Sequence, residues 1–349
     1  MDGIFNLDKS AGMTSHDVVA RVRRLTHQRR VGHAGTLDPA ATGVLPVCVG
    51  QATRVAEYLS ERGKAYRATI RFGAVTDTYD AEGQVVRTAP VALTEAEVAA
   101  VLPGFLGPQL QVPPIYSALK RDGRPLYELA RAGEAVTVAP RPIVIESLTI
   151  VTWASPDLVL DVDCGKGTYI RSLAYDLGER LGPGAHLAAL VRTRSGPFSL
   201  NDSITLEELE LVLVDGTWPD HLYAPDEALL DRDAAILGPA SETRLRNGQV
   251  LRDLSPQPPP LRGEGEPETT AHGEAGEPAK APLPREEGEP AKAPLSRTGE
   301  GLEQPEADAA LLRAYSADGR FLGILRWAAD AGAWQPYKVL AVDPVDLPA

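Results

Sequence analysis

VGHAGTLDPAATGVLPVCVG, Val31 to Gly50, is the stretch around which the rest of the sequence is arranged. It sets three polar groups, His33, Thr36 and Asp38, among Gly32, Gly35 and Gly43, residues that let a backbone turn sharply and approach a ligand closely. Pro39 restricts Asp38 to extended backbone and has its own φ fixed by its ring, which predicts the carboxylate on a constrained turn. Val44 to Val49 reads as a short buried strand that would hold that turn from behind. A carboxylate fixed beside a strand suits a nucleophile or a base. An Asp next to Pro equally suits the capping of a turn, and the residues alone leave both readings open.

Upstream, Gly3 to Leu7 reads as a strand, and Thr14 or Ser15 as the cap of a helix to about Thr26 with Val18, Val19, Val22 and Leu25 on one side. Arg21, Arg23, Arg24, Arg29 and Arg30 occupy the other side and the loop beyond, as a solvated face or as phosphate contacts. Downstream, Gln51 to Glu61 reads as a helix. Lys64 to Phe72 alternates, which puts Tyr66 with Ala68, Ile70 and Phe72 on the face to be buried. Thr76 to Gly83 is a polar turn, and Thr94 to Leu102 a short helix. From 112 to 140 the pattern loosens, and Lys120, Arg121 and Arg124 alternate with Tyr116, Leu119 and Tyr127. Such a segment suits a clamp on a nucleic-acid backbone or an ordinary excursion.

Ile143 to Val151 and Asp157 to Cys164 read as paired strands, and after Gly165-Lys166-Gly167 the residue Thr168 is predicted to cap a helix through Leu181. Arg171 lies in the first turn of that helix, where a cation opposes the helix dipole, so a partner anion is expected. A further helix is expected near Leu206 to Val214, and the first domain is expected to end near 225. The second is predicted to be β-rich, with a hairpin turn at Asn247-Gly248 and strands over Ala310 to Tyr315, Phe321 to Trp327 and Pro336 to Val342. Between its halves, about 255 to 306 is rich in Pro, Gly and Glu and repeats GEPAKAPL with a period of twelve. This composition builds no core and is expected to be a disordered insertion.

The 349 residues allow two domains. Cys48 and Cys164 both lie in apolar runs, as reduced core residues and not as a disulfide framework or a metal set. The sequence offers neither a signal peptide at its start nor a membrane span, so a soluble cytoplasmic protein is expected. The net charge of −13 argues by itself against a nucleic-acid partner, yet it is unevenly spread. Residues 1–72 carry eleven Lys or Arg against six Asp or Glu, whereas 256–305 carry five against ten. Phosphate binding needs only local positive potential, so the total decides little.

His33 to Pro39 with Ala41-Thr42-Gly43 closely resembles the signature of the tRNA pseudouridine synthase B family. The likeness continues at Asp8-Lys9 with Gly12, Thr14 and Ser15, at Lys64, Tyr66 and Ala68, at Gly167 to Leu173, and at Arg192-Thr193 through Gly196 to Phe198. The resemblance implies an α+β fold: a catalytic domain over 1–225 with a central mixed or antiparallel sheet, in which 112–140 clamps RNA. A small β-barrel-like PUA RNA-binding domain over 226–349 would come next, interrupted by 255–306. It further implies isomerisation of uridine to pseudouridine at position 55 in the T loop of tRNA, without cofactor or metal, by a monomer needing no protein partner. Asp38 would be the nucleophile, adding to C1′ of the ribose or assisting glycal formation. Arg171 would pair with Asp38 and keep it ionised, and Tyr66 would stack on the uracil and act as a base. His33 would support the space left by the flipped nucleotide. Arg21, Arg24, Lys64, Lys120 and Tyr169 are the further substrate-binding candidates. Lys9 would brace the catalytic loop or touch RNA, and Leu190 would pack on the base or in the core. Two other readings are a pseudouridine synthase for a different RNA and a non-catalytic tRNA-binding or folding chaperone.

Overall fold

A computed structural model describes residues 1–116, 120–121, 124–125, 138–252, 254 and 310–340. The chain forms two compact units, one of Met1–Asp231 together with Leu340, the other Arg232–Val339.

The first unit is built on one mixed sheet. Its path runs β14 (Leu222–Tyr223), β1 (Gly3–Lys9), β3 (Thr42–Val49), β12 (Ala185–Ser195), β4 (Lys64–Phe72), β11 (Asp157–Cys164), β10 (Arg141–Ala154) and β7 (Gly107–Gln111). Two short strands lie off that path, β2 (Val31–His33) on β3 and β13 (Phe198–Ser199) on β12. Only the β12–β3 pairing is parallel among these neighbours; there Arg192 faces Gly43. Gly43 has φ +98°, and a Cβ on it would lie 2.2 Å from the Arg192 carbonyl oxygen, so glycine is required where the two strands meet.

Among the described residues five helices accompany the sheet: α1 (Ser15–Thr26), α2 (Ala56–Ser60), α3 (Glu95–Val101), α4 (Ile170–Leu181) and α5 (Leu206–Asp215). This arrangement bears out the α+β expectation. Thr14 caps α1 through a capping box with Asp17, and Val18, Val19 and Val22 enter the core. The alternation in β4 is complete: Lys64, Tyr66, Ala68, Ile70 and Phe72 are buried. On its other face Arg67 and Arg71 form forked pairs with Asp161 and Asp157 directly across on β11. Beside the sheet, β5 (Ala74–Thr76) and β6 (Val85–Thr88) form a hairpin, and β8 (Lys120–Arg121) pairs with β9 (Arg124–Pro125). The remainder of the expected clamp at 112–140 lies largely outside the described residues, as does the segment 255–306.

Three local expectations are corrected. The run expected as one helix over Gln51 to Glu61 is a 3₁₀ turn, Gly50–Arg54, followed by the five-residue α2. Thr168 does not cap α4: its hydroxyl donates to the Gly165 carbonyl, and Tyr169 is the residue at the N-cap. In the second unit Asn247-Gly248 ends a helix, α6 (Pro239–Arg246), and does not turn a hairpin. Gly248 takes φ +70°, and the Gln249 amide reaches back to the Arg244 carbonyl at 2.8 Å, the bond pattern of a glycine-terminated helix. The same unit holds a four-stranded sheet in the order β15 (Ala234–Leu237), β16 (Leu311–Ser316), β17 (Phe321–Ala328) and β18 (Ala333–Val339). Among the described residues its strands run from edge to edge of an open path.

Candidate active site

The segment between β2 and β3 is fixed almost residue by residue. The Ala34 amide donates to the Pro46 carbonyl at 2.9 Å, and the Ala41 amide to the Asp38 carbonyl at 3.1 Å, closing a β-turn with Pro39 at its second position. Ser15 clasps Leu37 from both sides, accepting from its amide at 2.9 Å and donating to its carbonyl at 3.2 Å. The Pro39 carbonyl takes the Gly12 amide at 2.9 Å and Lys9 Nζ at 3.1 Å. Asp38 thus stands on a rigid turn, as Pro39 and the glycines predict.

Arg171 meets the Asp38 carboxylate with two nitrogens, Nε to Oδ2 at 3.1 Å and Nη2 to Oδ1 at 3.2 Å. This forked contact fixes orientation as well as charge. The third nitrogen, Nη1, donates to the Tyr116 carbonyl at 3.0 Å and to Asp80 Oδ2 at 3.4 Å. The anion expected beside Arg171 is therefore present twice. Helix α4 is placed for this by Gln111, whose side-chain oxygen accepts from the Tyr169 amide at 2.8 Å while its nitrogen donates to the Tyr169 carbonyl at 3.1 Å. Arg171 keeps 9% of its side-chain surface exposed and Asp38 43%. The guanidinium is a buried support, and the carboxylate is open to a reactant on one side. Burial pushes the Asp38 carboxyl above the ordinary carboxylate range and Asp80 adds to that, with Arg171 and Lys9 opposing. Arg171 limits the effect of burial without reversing it.

Tyr66 and Arg192 face each other across β4 and β12, so they share one side of the sheet. Tyr66 is 8% exposed, and burial raises its phenol, against the pull of the Arg192 charge. The ring is thereby kept neutral, which suits stacking and proton donation better than a standing phenolate. Arg192 is wholly buried, and its role is one that the sequence alone does not reveal. It donates to the carbonyls of Val44 at 2.6 Å, Thr36 at 3.3 Å and Gly35 at 3.1 Å, tying the Asp38 segment to β3. Arg192→Met is expected to lower stability by about 2 kcal/mol, since it strips buried carbonyls of their donors. A denaturant midpoint equal to wild type would remove Arg192 from the scaffold of the turn.

Two of the candidate lysines are internal. Lys9 is wholly buried, and its ammonium holds the carbonyls of Ser10 and Pro39, so of its two readings the brace is the one the contacts support. Lys64 is 9% exposed and donates to the carbonyls of Ser60 and Arg62, both at 2.9 Å. Burial brings its ammonium down to about 8. Arg21 is paired with Glu210 of α5 at 2.5 Å, while Arg24 is exposed on α1. Lys120 lies in β8. Leu190 is partly buried and packs on the core, opposite Ala68 and so on the same side of the sheet as Tyr66. His33 meets His16 edge-on with ring centroids 5.4 Å apart, and burial drives its imidazole down to about 4, so it is neutral. Tyr169 is half-buried at the head of α4. Cys48 and Cys164 are free, buried thiols. Among the described residues no group of His, Cys, Asp and Glu is arranged to hold a metal ion, and no helix is long and apolar enough to cross a membrane.

Residues 23–170 match the TruB family pseudouridylate synthase N-terminal domain, and residues 171–235 the tRNA pseudouridylate synthase B C-terminal domain. The tRNA pseudouridine synthase B of Gloeobacter violaceus is 51% identical over 254 residues, covering 71% of this chain and 86% of that protein. Its counterpart in Burkholderia mallei is 46% identical over 266 residues, 75% and 87% of the two chains. Among solved structures, a Cbf5-Nop10-Gar1 complex gives a TM-score of 0.63 at 23% identity, covering 93% of this chain and 78% of that one. An H/ACA RNP bound to a substrate RNA containing 2′-deoxyuridine gives 0.64 at 21%, covering 97% and 85%. At such identities the structures share the fold. With both matched domains and relatives near half identity, the chain belongs to the TruB family of pseudouridylate synthases, isomerases that act on RNA.

Proposed function

We propose that this chain converts uridine to pseudouridine at position 55 in the T loop of tRNA, with Asp38 as the nucleophile. The observation that carries this reading is the forked Asp38–Arg171 pair: a carboxylate on a rigid turn, oriented from behind by a buried guanidinium and open on its other side. That is the arrangement a nucleophile needs if it is to meet an extruded nucleotide in one geometry. The bond from N1 of uracil to C1′ breaks, the base turns while held, and C5 joins C1′. The C5 proton leaves and N1 ends protonated. Atoms and electrons balance within the nucleotide, so the conversion calls for no electron carrier. Tyr66 stacks on the turning base, and neutral His33 packs in the space the nucleotide vacates. Arg24, Lys120 and Tyr169 supply backbone or base contacts, with 112–140 folding over the stem-loop and the second unit serving as a PUA-like RNA-binding module. The enzyme works as a monomer in the cytoplasm, and the relatives' shared name, tRNA pseudouridine synthase B, supports the substrate class.

The test is to map pseudouridine, by chemical labelling and sequencing, in tRNA from cells lacking the enzyme after exposure to the purified protein. The expected result is one new modified position, in the T loop. Conversion only in a different RNA would favour a synthase of other specificity, and binding without conversion would favour a tRNA chaperone.

A further inference from the structure

The turn between β5 and β6 that carries Asp80 is held by contacts outside the reacting groups. Tyr79, the residue before Asp80, has φ +63°, a left-handed conformation that bulky side chains seldom adopt. Backbone preference therefore gives no reason for a tyrosine at this position; glycine would fit better. Its ring lies on that of Tyr175 with centroids 4.1 Å apart and planes 21° apart. Tyr175 stands one turn beyond Arg171 on the same side of α4. Each end of the Arg171–Asp80 contact is thus adjacent to one member of the stack.

The turn is tied down further by the Leu187 amide, which donates to the Tyr79 carbonyl at 2.9 Å. Thr78 donates to Asp80 Oδ1 at 2.6 Å, and Thr76 to the Asp80 carbonyl at 2.7 Å. These bonds shape the turn, but only a contact with α4 sets its distance from Arg171. Besides the Arg171–Asp80 contact itself, two side-chain contacts do so: the tyrosine stack, and the pair between Arg87 of β6 and Glu179 of α4. The ionic pair is exposed, at 48% and 36% of its side-chain surfaces, and such pairs contribute little. Flat aromatic contact is the stronger tie.

We propose that the Tyr79–Tyr175 stack is a positioning device, which locks Asp80 against Arg171 and so sets the guanidinium fork that faces Asp38. Neither tyrosine touches the substrate. The inference rests on the catalytic reading of Asp38 and Arg171.

The test compares turnover and KM of full-length variants on a tRNA transcript, with thermal melts to verify folding at the assay temperature. Tyr79→Phe and Tyr175→Phe keep the stack and should turn over within about two-fold of wild type. Tyr79→Gly suits the positive φ while deleting the ring, and Tyr175→Ala deletes the other ring. Each should lower kcat about ten-fold with KM within about two-fold, because a small misplacement of a positioned group slows chemistry more than binding. Tyr175→Leu, which keeps apolar bulk on α4 without a stacking plane, should show the same loss and stands in if the Ala variant melts too early. The double variant Tyr79→Gly/Tyr175→Ala should be no slower than the slower single, as expected of groups acting as one unit. Arg87→Ala should match wild type. Unchanged kcat in the ring-deleted variants, additive losses, or a raised KM with kcat preserved would overturn the inference, the last by placing the rings on RNA. A wild-type protein inactive on tRNA would defeat the functional reading, whereas an active one matched by its ring-deleted variants would defeat this inference alone.

Discussion

Asp38→Asn is expected to give a folded protein that still binds tRNA and whose turnover is lower by at least about 10³-fold. The amide keeps the size of the carboxylate and can remain in the Arg171 fork through one oxygen, so the site should not collapse. What it loses is the charge and the nucleophilic oxygen. Stability supplies an independent check. Burial raises the Asp38 carboxyl above the value it has in an unfolded chain. Its contribution to stability is therefore fully present below the unfolded value and is lost as pH rises through the folded one. At neutral pH the ionised side chain works against the fold, so the Asn variant should melt at the wild-type temperature or above it. Nucleoside analysis of digested tRNA and a thermal melt are enough to decide. Near-normal pseudouridine formation would remove Asp38 from the chemistry, and a large fall in melting temperature would make it a structural residue.

The parts of this site that could be read from the sequence are those governed by local rules. Pro39 and the glycines announce a rigid turn, the period-two pattern of β4 places Tyr66 inside, and a cation in the first turn of α4 asks for an anion. The parts that could not be read depend on which segments meet. Asp80 sits in a stretch, TDTYDAEG, whose composition fits any solvated turn; only the packing of the β5–β6 hairpin beside α4 brings it within 3.4 Å of Arg171. Strand β12 is hidden in the sequence because its register shifts at Leu187/Ala189 and Arg192/Arg194 break the alternation that marks a strand. The same strand carries Arg192, whose charge reads as surface in a sequence and is wholly buried in the fold. The surroundings of Lys9 and Lys64 are hidden in the same way: only the fold shows the nearby carbonyls around each ammonium. Asn247-Gly248 shows that one dipeptide serves two purposes, since a glycine with positive φ closes a hairpin or ends a helix according to what precedes it.

Replacing Arg171 separates charge from geometry. Arg171→Lys retains a cation beside Asp38 but not the two parallel contacts, nor the third nitrogen that reaches Asp80 and the Tyr116 carbonyl. Turnover should fall by about 10²-fold, with affinity for tRNA within about three-fold, because the guanidinium is buried behind the carboxylate and offers RNA little surface. Arg171→Ala should lose more, about 10³-fold, and should also shift the pH dependence. Arg171 is the foremost of the groups that oppose the effect of burial on Asp38, so without it the carboxyl rises further. The acid limb of the rate profile, where the nucleophile becomes protonated, should then move to higher pH, whereas in the Lys variant it should stay near the wild-type position at a lower plateau. Wild-type turnover in the Lys variant would reduce Arg171 to a point charge. Weakened tRNA binding with turnover preserved would instead place its side chain on the RNA backbone, and the forked pair would then have no part in orienting the nucleophile.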